Sequence, residues 1–225
     1  MSDRNCIYSS GRYTEELSRE DMLSCCGRFC GLGCEGGYPS RTWKYWIESG
    51  IVTGGAYQAE DSCKPYEFPP CSHHVNSTYP PCGALYPTPK CVKTCQTDYG
   101  KSYTKDLHSG EITLKIPKTC SLVFQVKGEE KIMMELMKNG PLEAVFDVYG
   151  DFMNYKSGVY QDEAGEYINP HIVKLIGWGV EENTKYWLWI NSWNNVWGDN
   201  GLFKIIRGVD KCRIESDQLG GVTKV

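Results

Sequence analysis

Three observations on these 225 residues predict an α+β fold in two parts, a helical, disulfide-bound N-terminal part followed by a sheet-based C-terminal part. Ten of the 12 cysteines lie in the first 100 positions, with only Cys120 and Cys212 beyond. The stretch from Cys63 to Cys91 carries Pro65, Pro69, Pro70, Pro80, Pro81, Pro87 and Pro89, which excludes regular helix and central strand there. After Cys95 the texture changes to one amphipathic helix and a series of strand-like runs separated by glycine turns.

Each element has a local cause. Trp43, Trp46, Ile47 and Gly50 recur at i, i+3, i+4 and i+7 behind Pro39, which predicts a helix over Ser40 to Ser49 with glycine as its stop. Glu129 to Asn139 pairs Ile132 with Leu136 and Met133 with Met137, and Gly140-Pro141 ends it. Strands are predicted at Leu142 to Tyr149, His171 to Trp178, Tyr186 to Ile190 and Leu202 to Ile206. The boundary between the parts falls between Cys95 and Ile112. The expected lobes are 1–105, bearing a flap at 71–82, and 106–225, whose C-terminal tail can cross back. Together they make a single functional domain.

Composition narrows the function classes. Lys and Arg number 24 against 28 Asp and Glu, a net charge of −4, with no block of like charge. That balance argues against nucleic acid and against an anionic membrane surface as partners. No run approaches the ~18 apolar residues of a spanning helix. Twelve cysteines are far denser than a reduced cytosolic protein carries, so the composition is that of an exported, oxidised protein. The opening Met1-Ser2-Asp3-Arg4-Asn5-Cys6 nevertheless has neither the basic nor the apolar region of a signal peptide.

Three constellations could carry chemistry. Cys25, Cys26, Cys30 and Cys34, with His73 and His74 further on, suit either a disulfide knot or a zinc site; adjacent cysteines point apart and favour the knot. Cys71 and Cys82, if bridged, hold a stiff flap whose closure stabilises by around 2–3 kcal/mol. The flap's His73 and His74 could grip a carboxylate or simply be solvated, and Asn76-Ser77-Thr78 is a glycosylation sequon. Finally, His171 on a strand, with Asn191 one hairpin later among Trp187, Trp189, Trp193 and Trp197, fits a base and its orienting group. A packed core histidine is the plainer reading.

Taken together, Cys26-Gly27-x2-Cys30-Gly31-x-Gly33-Cys34-x-Gly36-Gly37-Tyr38-Pro39, the His73-His74 flap, Gly177-Trp178-Gly179 and Asn191-Ser192-Trp193-Asn194-x2-Trp197-Gly198-Asp199-Asn200-Gly201 resemble the cathepsin B group of papain-family cysteine peptidases, from Ser2 to the C-terminus. The resemblance implies a papain-like two-lobed α+β fold, a helical lobe beside an antiparallel β-barrel-like lobe. It implies that His171 is the catalytic base and Asn191 its orienter, that Trp193 covers the pair, and that Gly36 and Gly37 offer backbone groups to substrate. Asp217 falls at the base of the second specificity pocket, where it would favour a basic side chain. His73 and His74 would hold a substrate's C-terminal carboxylate, giving dipeptidyl carboxypeptidase as well as endopeptidase action. The implied bridges are Cys25–Cys91, Cys26–Cys30, Cys63–Cys95 and Cys71–Cys82. The implied partners are peptide or protein substrates and cystatin-type inhibitors, with no cofactor and no metal, in a lysosomal or extracellular location.

The pattern also breaks. The group's nucleophile lies in Cys-Gly-Ser-Cys-Trp, preceded by an oxyanion-hole Gln, and no such segment occurs in these residues. The resemblance therefore implies an N-terminally truncated chain that lacks the thiol-bearing central helix and is inactive alone. Cys6 and Cys34 are left without partners, and Cys120 and Cys212 have no role. Asn169-Pro170 and Ile172 replace smaller residues around His171, and Glu35 and Arg213 are unusual near the cleft. Two other readings remain, a non-catalytic homologue that binds peptides or inhibitors and a zinc-binding interaction module.

Overall fold

The computed structural model describes residues 1–109, 123–161 and 164–221. Cys120 and the Ile112 end of the expected boundary lie outside them. The chain forms two compact units: Met1–Pro69 with Gly83–Phe124 and the end from Gly221, and Pro70–Cys82 with Gln125–Gly220. The flap residues 71–82 group with the second unit.

Among its described residues the first unit holds the α-helices α1 (Ser2–Tyr8), α2 (Arg19–Cys25) and α3 (Pro39–Ser49). α3 begins at Pro39, where a missing N–H costs nothing, and stops at Gly50 with φ of +77°. Its Trp43, Trp46 and Ile47 form a core with Leu17 and Ile51. Trp46 keeps its indole N–H satisfied by donating to the His108 carbonyl at 3.0 Å. α2, which the hydrophobic pattern did not predict, is started by Ser18: its hydroxyl accepts from the Asp21 N–H at 2.9 Å and donates to the Lys64 carbonyl at 2.7 Å. Bridges Cys25–Cys91, Cys26–Cys30 and Cys63–Cys95 tie the long loops to this framework. Cys25, Cys26 and Cys30 are thus oxidised, which removes three of the four thiols of the alternative zinc cluster and leaves only Cys34 outside a bridge.

The second unit is built on helix α4 (Glu129–Asn139) and most of a largely antiparallel sheet, whose residues Val123, Phe124 and Gly221 group with the first unit. Its strands are β1 (Val123–Val126), β2 (Leu142–Tyr149), β3 (Val159–Tyr160), β4 (Tyr167–Glu181), β5 (Thr184–Ile190), β6 (Leu202–Ile206) and β7 (Gln218–Gly221), in the order β1-β7-β2-β4-β5-β6-β3. β2 alternates strictly, burying Leu142, Ala144, Phe146 and Val148. Phe146 meets Phe152 and Phe203, and Trp189 stacks on Phe203. A Cβ at Gly179 would stand 2.5 Å from the Tyr186 hydroxyl on the paired strand, so the tyrosine ring would have to move to admit one. β4 begins at Tyr167 rather than His171, so Asn169 and Pro170 lie within it. Proline is tolerated because pairing with β5 starts only at Lys174, and β4 is bonded on one side at Pro170. Among the described residues no helix is long and apolar enough to cross a membrane.

Candidate active site

β4 and β5 set the geometry. His171 sits on β4 opposite Phe146 of β2, and Asn191 follows directly on the end of β5, its backbone N–H fixed to the Gly201 carbonyl at 2.9 Å. This brings the imidazole Nε2 to 2.9 Å from Asn191 Oδ1. The same Oδ1 accepts the Ser192 N–H at 2.7 Å. A backbone N–H can only donate, so the amide presents its oxygen on this side. Nε2 of His171 must then carry the proton it shares with Asn191. The other nitrogen, Nδ1, keeps a lone pair and is the basic atom.

Two aromatic rings flank the imidazole. Trp193, itself buried, lies 5.0 Å from the His171 ring centroid to centroid, and Phe146 meets that ring edge-on. Trp197 and Phe152 back Trp193 at 5.1 and 5.8 Å. Burial pushes the His171 pKa below the ordinary imidazole value, and the Asn191 bond partly opposes it. Burial thus favours the uncharged form of His171, the form that can accept a proton. Among the described residues the His171 ring makes no hydrogen bond or ring contact with a cysteine. Cys6, Cys34 and Cys212 are outside the bridges, the first two in the other unit.

The flap meets the same tryptophan. Cys71 and Cys82 are bridged. His73 stacks parallel to Trp193 at 6.4 Å and His74 approaches its edge at 4.9 Å, while the Asn194 side-chain amide donates to the Cys71 carbonyl at 3.3 Å. Burial, then His74 and His171, lowers the His73 pKa. Asn76 is exposed on the flap.

The remaining residues singled out in the sequence have their own surroundings. Asp217 precedes β7, and its carboxylate accepts from the Gln125 side chain. Arg213 holds Asp147 through two hydrogen bonds of 2.6 and 2.7 Å. Gly36 and Gly37 belong to the first unit. Gly37 packs where a Cβ would come within 2.6 Å of the Cys30 carbonyl, whereas Gly36, at φ of +117°, faces open space. Sequence reasoning did not give Ser192 its part in orienting the amide, because a backbone donor leaves no trace in residue type.

The model of the papain family of cysteine proteases matches residues 1–222. The chain belongs to that family. Among papain-family relatives, a cathepsin B-like cysteine proteinase of Schistosoma japonicum is 46% identical over 226 residues, covering 100% of this chain and 63% of the relative. Cathepsin B-like cysteine proteinase 6 of Caenorhabditis elegans is 49% identical over 229 residues, covering 100% of this chain and 58% of the relative. The chain thus spans about three-fifths of the length of these curated relatives. The solved procathepsin B S9 of Trypanosoma congolense superposes with a TM-score of 0.78 at 35% identity, over 100% of this chain and 65% of that one. A procathepsin L 3 of Tenebrio molitor, at 18% identity and a TM-score of 0.64, shares the papain-like α+β fold, covering 98% of this chain and 59% of that structure.

Proposed function

We propose that these residues supply the general base and the substrate-gripping flap of a cathepsin B-like cysteine peptidase, and that the nucleophilic thiol is not among them. The observation that carries this reading is the Asn191 amide, locked by Ser192, which leaves His171 Nδ1 unprotonated and ready to accept a proton from sulfur. In that role Nδ1 takes the thiol proton, the thiolate attacks the scissile carbonyl, and the imidazolium returns the proton to the leaving amine. Trp193 shields the Asn191–His171 bond and so strengthens it. Gly36 and Gly37 offer backbone groups to an extended peptide. Asp217 lies at the second specificity pocket. His73 and His74 receive a terminal carboxylate, adding dipeptidyl carboxypeptidase to endopeptidase action.

The bridged cysteines suit an oxidising, lysosomal or extracellular setting. Peptides and proteins are the substrates of this reading, and cystatin-type inhibitors would bind the same surfaces. Loss of a triad nucleophile costs about 10⁶-fold in turnover, so a polypeptide of these 225 residues alone is expected to be inert. Joining it to an N-terminal segment that carries the Cys-Gly-Ser-Cys-Trp sequence and its preceding Gln should yield peptidase activity that an alkylator abolishes and His171→Ala removes. Alkylator-sensitive cleavage by the 225 residues alone would refute the proposal. So would NMR showing the proton of the neutral His171 ring on Nδ1, a readout independent of whether the fusion folds.

A further inference from the structure

The flap contains a grouping whose two sulfurs peptidase action does not use. Cys71 Sγ, Cys82 Sγ and one ring nitrogen of His73 all lie within 4.8 Å of one another. Nε2 of His73 stands 3.7 Å from Cys71 Sγ. In a tetrahedral zinc site, with metal–sulfur bonds of ~2.3 Å and metal–nitrogen bonds of ~2.0–2.1 Å, sulfur and nitrogen are separated by about 3.6 Å. The imidazole already occupies a ligand's place relative to the sulfur.

We infer that the flap is a redox-gated metal site: when the Cys71–Cys82 bridge is reduced, Cys71, Cys82 and His73 bind one zinc-class divalent ion. Two equivalents of a small thiol would open the bridge. The S–S bond breaks, both cysteines become thiols, and the reductant leaves as its own disulfide. The metal then displaces one proton from each thiol to solvent and takes the Nε2 lone pair of His73, leaving a fourth position for water. In the oxidised flap both sulfurs are spent in the bridge, and no such site exists.

Two features favour this grouping over the other cysteines. All three groups are partly exposed, so reductant and ion can reach them; the Cys25–Cys91 bridge is accessible too but has no third ligand grouped with it among the described residues, and Cys63 of the Cys63–Cys95 bridge is fully buried. The ligands are also positioned by groups outside themselves, His73 by its stack on Trp193 and Cys71 by the bond from Asn194 to its carbonyl. A bound ion would occupy the imidazole that the proposed function gives to the substrate carboxylate.

The test uses the 225-residue chain and cobalt(II) alone. Limiting thiol opens accessible bridges, alkylation with mass spectrometry identifies them, and cobalt is titrated into oxidised and reduced protein. The reduced chain should take up one more equivalent, with the strong visible and thiolate charge-transfer bands of tetrahedral S₂N ligation. His73→Ala should weaken that uptake by at least about 10–100-fold. Equal uptake by oxidised chain, or the same uptake by a Cys71→Ser/Cys82→Ser chain, would overturn the inference. Cadmium-113 NMR of the unsubstituted reduced chain needs no folded variant, and a resonance outside the range of two-sulfur mixed coordination would overturn it equally.

Discussion

Trp193 covers the face of His171 with ring centroids 5.0 Å apart and planes inclined by 32°, so one side chain both buries the base and receives the flap histidines. The imidazole pKa is set by this burial, which lowers it, against the Asn191 hydrogen bond, which raises it. The two influences can be separated by substitution. Trp193→Ala readmits water and should move the His171 titration up toward the ordinary imidazole value. Asn191→Ala removes the supporting bond and should move it further down. Imidazole NMR titrations of the two variants should therefore shift in opposite directions, and shifts of the same sign would show that the assignment of causes is mistaken.

Glu20 is buried at 5% exposure, and its Oε2 has no hydrogen-bond partner. Desolvation, then repulsion from Glu67, raises its pKa above 4.5. An acid whose folded pKa is raised stabilises the fold fully below its unfolded value and loses that contribution as pH climbs through the folded value. Glu20→Gln, which cannot ionise, should be more stable than the parent at neutral pH, with the difference vanishing near pH 4. Thermal melts of both chains across this range measure it, and a difference independent of pH would contradict the prediction.

Lys64 and Asp21 form an ion pair of 3.1 Å within the first unit, with side-chain exposures of 11% and 0%. Tyr103 donates to both Asp21 oxygens at 3.1 Å, and Lys64 also reaches the Ser24 hydroxyl. Removing the cation strands a buried carboxylate, which costs more than the pair contributes. Lys64→Met should destabilise by about 3–5 kcal/mol in denaturant titrations, and adding Asp21→Asn should recover part of the loss. By contrast the exposed Arg213–Asp147 pair, though bidentate, should matter by less than about 1 kcal/mol.

The sequence by itself determined the elements that depend on periodicity and punctuation. α4 runs from Glu129 to Asn139 as its i, i+4 pairs and Gly140 require, and β2 and β6 keep the bounds of their apolar runs. The glycine, tryptophan and cysteine motifs sufficed to indicate the papain family, because such residues tolerate few replacements where backbones touch or rings fill a core. α2 escaped the pattern because it is seven residues long and started by a serine whose hydroxyl also binds Lys64, 46 residues away. The short β1, β3 and β7 have too few residues to show alternation and exist only through their neighbours in the sheet.

Tertiary structure alone decided which atom of His171 is basic, since that rests on a Ser192 backbone proton directed at Asn191. It likewise placed the flap histidines on Trp193, some 120 residues away along the chain, and His73 beside the Cys71 sulfur. Residue order fixes which groups a chain can offer. Proton positions and ligand geometry arise only when distant segments close to within hydrogen-bonding distance.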